Sequence, residues 1–250
     1  MPRRQRVEPA SSPATNVPVL RLIQAIVGDK TSEVAKLIEL TPFLAKASLA
    51  VGATRQAARD YFFSGIKHYF FAGDTPLHAA GVAYRREMAQ KLLRNGANVA
   101  SANRMGATPL HYAADGSPRS RVWNPRAQAE TITFLIKHGA DPNALDKSGV
   151  APLHRAVRQR CSAAVDSLLR NGASARLKNK SGSTPLHLAV QNTGKSGSGS
   201  PQLKSLQLEI IDLLLKAGAS PKELDGRGKT VLQCADKHCE AVLDLKTEKK

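Results

Sequence analysis

Apolar residues in this chain arrive in short bursts at helical spacing, three of them opened by a Thr-Pro pair, and glycine closes the helical stretches that follow. In one such burst Met88, Leu92 and Leu93 share a helical face, and Gly96 supplies the left-handed residue that ends the helix. Threonine ahead of a burst can cap a helix through its hydroxyl. The proline after it fills the first helical position, where no amide hydrogen is needed. The pattern predicts pairs of short helices, with further helices near Val19–Val27 and Ser32–Leu40.

The bursts form an internal repeat. Thr75-Pro76-Leu77-His78, Thr108-Pro109-Leu110-His111, Ala151-Pro152-Leu153-His154 and Thr184-Pro185-Leu186-His187 are followed by a decayed Thr230-Val231-Leu232-Gln233. Their starts are spaced 33, 43, 33 and 46 residues apart. Gly96-Ala97, Gly139-Ala140, Gly172-Ala173 and Gly218-Ala219 each precede the next tetrapeptide by 12 residues. A 33-residue unit has therefore taken inserts of 10 and 13 residues, both between tetrapeptide and Gly-Ala. Ala151 stands where the other copies carry a capping threonine, so Ala151→Thr is expected to stabilise.

The period and the Thr-Pro-Leu-His-x-Ala signature resemble the ankyrin repeat family. The resemblance implies an all-α solenoid of stacked helix-turn-helix pairs with hairpin-like finger loops, burying one continuous core. Its extent predicts a repeat domain over 18–245. Within it lie a degenerate first repeat at 18–48, an irregular extension at 49–71, and full repeats at 72–103, 104–146, 147–179 and 180–225. A capping repeat follows at 226–245, and residues 1–17 and 246–250 are expected as basic tails. The extension holds Tyr61-Phe62-Phe63 and Tyr69-Phe70-Phe71. It is expected to form a short helix over 54–63, with its aromatics in the core rather than on a recognition surface.

Composition narrows the function. The formal charge of +17 is spread evenly: residues 1–125 carry 17 basic against 8 acidic side chains, +9, and residues 126–250 carry 20 against 12, +8. A surface of that sign attracts acidic partners. No run of 18 apolar residues occurs, and the start, Met-Pro-Arg-Arg-Gln-Arg, lacks an apolar stretch behind it, so neither a membrane span nor a signal peptide is expected. Three cysteines, Cys161, Cys234 and Cys239, read as free thiols of a reducing, cytoplasmic setting.

Candidate chemistry is thin. Four of the seven histidines belong to the tetrapeptides, one per unit, where the resemblance implies that they hold a backbone turn. At roughly 8–10 Å between successive units they cannot share one ion. Cys234, His238 and Cys239 lack a fourth metal ligand. Gly194-Lys195-Ser196 ends like a phosphate-binding loop, but Ala189 replaces the earlier glycine and a helix precedes it. Asn179-Lys180-Ser181 is a glycosylation sequon without a secretory context. No catalytic grouping, cofactor or metal is expected.

Binding is the remaining role. Aligning the units on their glycines puts Arg104-Met105, Lys147-Ser148, Lys180-Ser181 and Gly226-Arg227 at finger tips. The resemblance adds exposed inner-helix positions, Val82, Ala83, Asp115, Arg158, Gln159 and Gln191, as the walls of a concave groove. Trp123, on the Arg-bearing insert 116–126, either anchors an interface or folds back onto the helices. The second insert, 192–203, reads as a Gly/Ser-rich tether. The expected function is a monomeric scaffold or adaptor for a protein partner, with an acidic one favoured. Nucleic acid or an anionic surface is the alternative.

Overall fold

A computed structural model describes residues 16–116, 123–191 and 200–235. Inner helices α1 (Asn16–Val27), α3 (Pro76–Val82), α5 (Pro109–Ala114), α7 (Pro152–Arg158) and α9 (Pro185–Val190) alternate with outer helices α2 (Thr31–Leu40), α4 (Arg86–Arg94), α6 (Pro125–Lys137), α8 (Ser162–Arg170) and α10 (Pro201–Lys216). A short α11 (Val231–Cys234) follows. Each inner helix packs on its neighbours in the adjoining units, α1 on α3, α3 on α5, α5 on α7 and α7 on α9, while α6 packs on α8 and α8 on α10. This is a stack of helix pairs, as the repeat predicts.

One apolar seam runs through the stack. Leu77, Leu110, Leu153 and Leu186, the third residue of each of the four clear tetrapeptides, are fully buried, and in the decayed last copy the second residue, Val231, is buried in place of the exposed Leu232. So are Leu92, Leu135, Leu168 and Leu214, each four residues before its Gly-Ala glycine. Those glycines have φ of +83° to +95°, a region in which a side chain clashes with its own carbonyl, so the outer helices must stop there. Cutting one seam leucine back to alanine costs about 2–5 kcal/mol.

The turn from inner to outer helix also needs a left-handed residue. Asp29, Tyr84 and Arg160 take it, with φ of 57°, 56° and 60°. The inserts lie at the corresponding turns of the two longer units. Residues 117–122 and 192–199, with the glycines and basic residues read from them, lie outside the described residues, as do 1–15 and 236–250.

The stretch 49–71 departs from expectation. Instead of a helix over 54–63 there is a single 3-10 turn at Arg59–Tyr61, then an antiparallel hairpin of β1 (Phe62–Phe63) and β2 (His68–Tyr69). Consecutive aromatic residues favour a pleated ribbon over a helix, and Lys67, at φ 51°, turns it. Its ends are tied into the stack, since Leu49 N–H donates to the Asp74 carbonyl (2.8 Å) and Ala53 N–H to that of Phe70 (2.7 Å). Of its aromatics only Phe70 is wholly buried; Phe62 and Tyr69 are exposed and face each other across the strands at 4.6 Å.

Candidate binding face

The tetrapeptide histidines weld one unit to the next. The Nδ1 of His78 accepts the Thr75 amide hydrogen (3.1 Å), which fixes the proton on Nε2, and Nε2 donates to the Ala107 carbonyl of the following finger (3.0 Å). His111 does the same between Thr108 and Val150 (3.1 and 2.9 Å), and His154 between Ala151 and Ser183 (both 3.2 Å). His187 spans Thr184 and Lys229 (3.2 and 3.4 Å). Only a neutral ring can accept at one nitrogen and donate at the other. For three of these histidines burial favours the neutral ring: it depresses the pKa of His78 and His154, and that of His111 to about 4. The sequence expectation of a local turn was too modest, because each ring reaches into the next unit.

The fingers are joined edge to edge. Lys147 N–H donates to the Met105 carbonyl (2.9 Å), Lys180 to Ser148 (3.1 Å) and Gly226 to Ser181 (3.0 Å). The tip pairs read from the sequence therefore form one row. Met105, Lys147, Ser148, Lys180, Ser181 and Arg227 are exposed on it, and Arg158, Gln159 and Gln191 are exposed at the ends of inner helices.

The first half of the predicted groove is not open, which corrects three positions. Val82 and Ala83 are only 5% and 7% exposed. They line, with the hairpin tip Gly65–His68 and with Asp115, Trp123 and Gln159, a cleft of about 500 Å³. The ring of His68 packs on Tyr112 of α5 (4.5 Å), and its Nε2 lies 3.4 Å from an Asp115 carboxylate oxygen. Asp115 is thus no exposed groove residue. It accepts from Arg155 (2.8 Å), which also donates to Asp146 (3.2 Å). Burial raises the Asp115 carboxyl, but the hydrogen bond from His68 and the Arg155 charge outweigh it, and the net displacement is downward. Arg104 is engaged as well: its guanidinium donates to the Ala53 carbonyl (2.7 Å) and covers the Phe71 ring at 5.3 Å. Sequence reading missed this strap because its contacts join residues about 50 apart.

Under the strap, Asp74 accepts from the Phe71 amide (2.6 Å), the Tyr112 hydroxyl (2.6 Å) and the Asn103 amide group (2.9 Å). This network fixes the finger leading into α5 and leaves both oxygens of Asp74 hydrogen-bonded. Trp123 folds back, donating its indole N–H to Gln128 (2.8 Å). Burial pushes the Cys161 thiol up to about 12, so it carries no thiolate at neutral pH. Cys234 lies 3.9 Å from Asp225, while His238 and Cys239 fall outside the described residues. Among the described residues no group of three His, Cys, Asp or Glu side chains is placed to hold a metal ion, and no helix is long and apolar enough to cross a membrane.

Comparison with known proteins agrees with this architecture. The family model described as ankyrin repeat matches residues 72–104, 105–147 and 181–226, and one described as ankyrin repeats (many copies) matches 135–189. The mouse ankyrin repeat and SOCS box protein 16 is 33% identical over 164 residues, 64% of this chain and 25% of that protein. The Arabidopsis thaliana E3 ubiquitin-protein ligase KEG is 29% identical over 145 residues, 56% of this chain. The match spans only 8% of that ligase's length.

Proposed function

Because the chain belongs to the ankyrin repeat family, whose repeats are protein–protein interaction modules, we propose that it is a monomeric, non-catalytic scaffold or adaptor that holds an acidic protein partner. The partner lies along the finger tips and inner-helix ends, at Lys147, Ser148, Arg158, Gln159, Lys180, Ser181, Gln191 and Arg227. One observation carries this reading: the fingers that bear Lys147, Ser148, Lys180, Ser181 and Arg227 are joined edge to edge, so three exposed cations stand in one row beside the exposed inner-helix ends. A reducing, cytoplasmic setting suits the buried Cys161 thiol. The test is partner capture from the native cell with the Lys147→Glu, Lys180→Glu, Arg227→Glu triple variant. Loss of the partners held by the unaltered protein is expected. Capture of the same partners at the same yield would remove the groove from the function.

A second reading, direct binding of nucleic acid, draws on the exposed Phe62–Tyr69 pair with Arg55 and Arg59 exposed nearby in sequence, a basic-and-aromatic surface of the sort that stacks bases. A labelled oligonucleotide that fails to bind at low salt would dismiss it.

A further inference from the structure

The described basic side chains divide into engaged and unengaged sets. Arg104 is held by Ala53 and Phe71, Arg155 by Asp115 and Asp146, and Arg176 and Lys178 by Glu223. Lys147, Lys180 and Arg227 are exposed and form no salt bridge with any described residue. They stand at the tips of three consecutive fingers, those leading into α7, α9 and α11, and the last finger also carries Lys222 and Lys229, exposed and without a salt bridge to any described residue. The stretch 49–71 bounds the set on the N-terminal side, since its Ala53 and Phe71 engage the cation of the preceding tip, Arg104.

Spacing identifies what fits such a row. Successive units are separated by a helix-packing distance of roughly 8–10 Å. A β-strand presents same-face side chains about 6.6 Å apart, and an α-helix climbs about 5.4 Å per turn, so neither keeps step with the row. A polyproline-II segment has three residues per turn and rises about 3.1 Å per residue, returning a side chain to one face every 9 Å or so. Its lack of internal hydrogen bonds also leaves its backbone able to pair with Ser148, Ser181 and the exposed inner-helix ends.

We propose that the fingers leading into α7, α9 and α11 receive a polyproline-II segment of an acidic protein, with a carboxylate at every third residue pairing in turn with Lys147, Lys180 and Arg227. This rests on the groove reading above and adds to it a partner conformation and a charge register. The stretch 49–71 sets where the segment must stop.

The test uses the full chain and three fluorescein-labelled peptides in about 150 mM salt. One has four Glu-Pro-Pro triplets, one has the same residues with the glutamates in a single block, and one has Gln for Glu in the triplets. By anisotropy the spaced acidic peptide is expected to bind about tenfold tighter than the block, and the Gln peptide to show no binding. Lys180→Glu, checked for native circular dichroism, should erase the preference. Equal affinity for spaced and block peptides, an unchanged preference in Lys180→Glu, or tighter binding of a single-stranded oligonucleotide at the same salt would each overturn the proposal. If the preference is absent while the triple charge reversal still abolishes partner capture, the register is wrong and the groove reading stands.

Discussion

The histidine welds make stability fall in mild acid, and His111 gives the amount. Its ring must stay neutral to accept from Thr108 and donate to Val150, and burial lowers its pKa to about 4, whereas in the unfolded chain it titrates near 6.5. A depressed folded pKa means that the unfolded chain binds the proton first. The contribution is complete above about pH 6.5 and is lost as pH falls toward 4. The gap of about 2.5 corresponds to roughly 3 kcal/mol at most, of which about 2 kcal/mol is gone at pH 5. His78 and His154, also depressed, act in the same direction. Against a typical domain stability of about 5–15 kcal/mol this is a large fraction.

The assay is urea unfolding at pH 8, 6 and 5 for the unaltered protein and for His111→Gln. Glutamine is the informative replacement because Gln233 already occupies the matching position of the last unit, where its side-chain oxygen accepts the Thr230 amide hydrogen at 2.9 Å. His111→Gln keeps that local bond, loses the bond to Val150 and cannot titrate. It is expected to be about 1–2 kcal/mol less stable at pH 8, and its loss between pH 8 and pH 5 should shrink by about 2 kcal/mol. A variant whose stability falls with pH as steeply as that of the unaltered protein would show that His111 is not neutral in the fold, and the account of the weld would fail.

Three further outcomes follow from single sites. Ala151→Thr restores a hydroxyl placed like those of Thr108 and Thr184, which lie 2.9 and 2.8 Å from their histidines, and should raise the melting temperature through about 1 kcal/mol; a lower one would mean the buried methyl does not fit. Gly182→Ala combines a φ of +73° with a Cβ driven into the Gly226 backbone, so it should lose more than about 1 kcal/mol by urea unfolding, and a neutral result would rule out the tight finger-to-finger seam. Arg155→Ala leaves Asp115 and Asp146 without their shared cation and should cost about 3–5 kcal/mol, a loss that should shrink in 1 M salt only slightly because the cluster is largely buried.

The helix pairs were legible because short-range chemistry dictates them: Thr-Pro starts an inner helix, glycine stops an outer one, and the leucines between keep register. Finger tips were legible for the same reason, since equal spacing from Gly-Ala to tetrapeptide fixes the loop between them. What escaped was set by partners far along the chain. Nothing local says that the aromatic run will form a ribbon, or that His68 will settle against Tyr112 and Asp115, 44 and 47 residues away. The same holds for charge. Arg104 and Lys147 look alike in the sequence and both are exposed, yet Arg104 is bound to Ala53 and Phe71 while Lys147 forms no salt bridge with any described residue.

That difference bears on how binding and stability are linked. In a solenoid each unit leans only on its neighbours, so a perturbation acts locally. Cations about one unit apart lie near the Debye length of about 8 Å at physiological salt, and they repel one another weakly through the solvent. An acidic segment that neutralised Lys147, Lys180 and Arg227 would remove that repulsion from three joined fingers while tying them together. Amide exchange in the fingers 141–150, 174–183 and 220–229 should then slow on binding. The strap's pairing of Ala53 with Phe70 should exchange at its former rate, because the row does not extend beneath it.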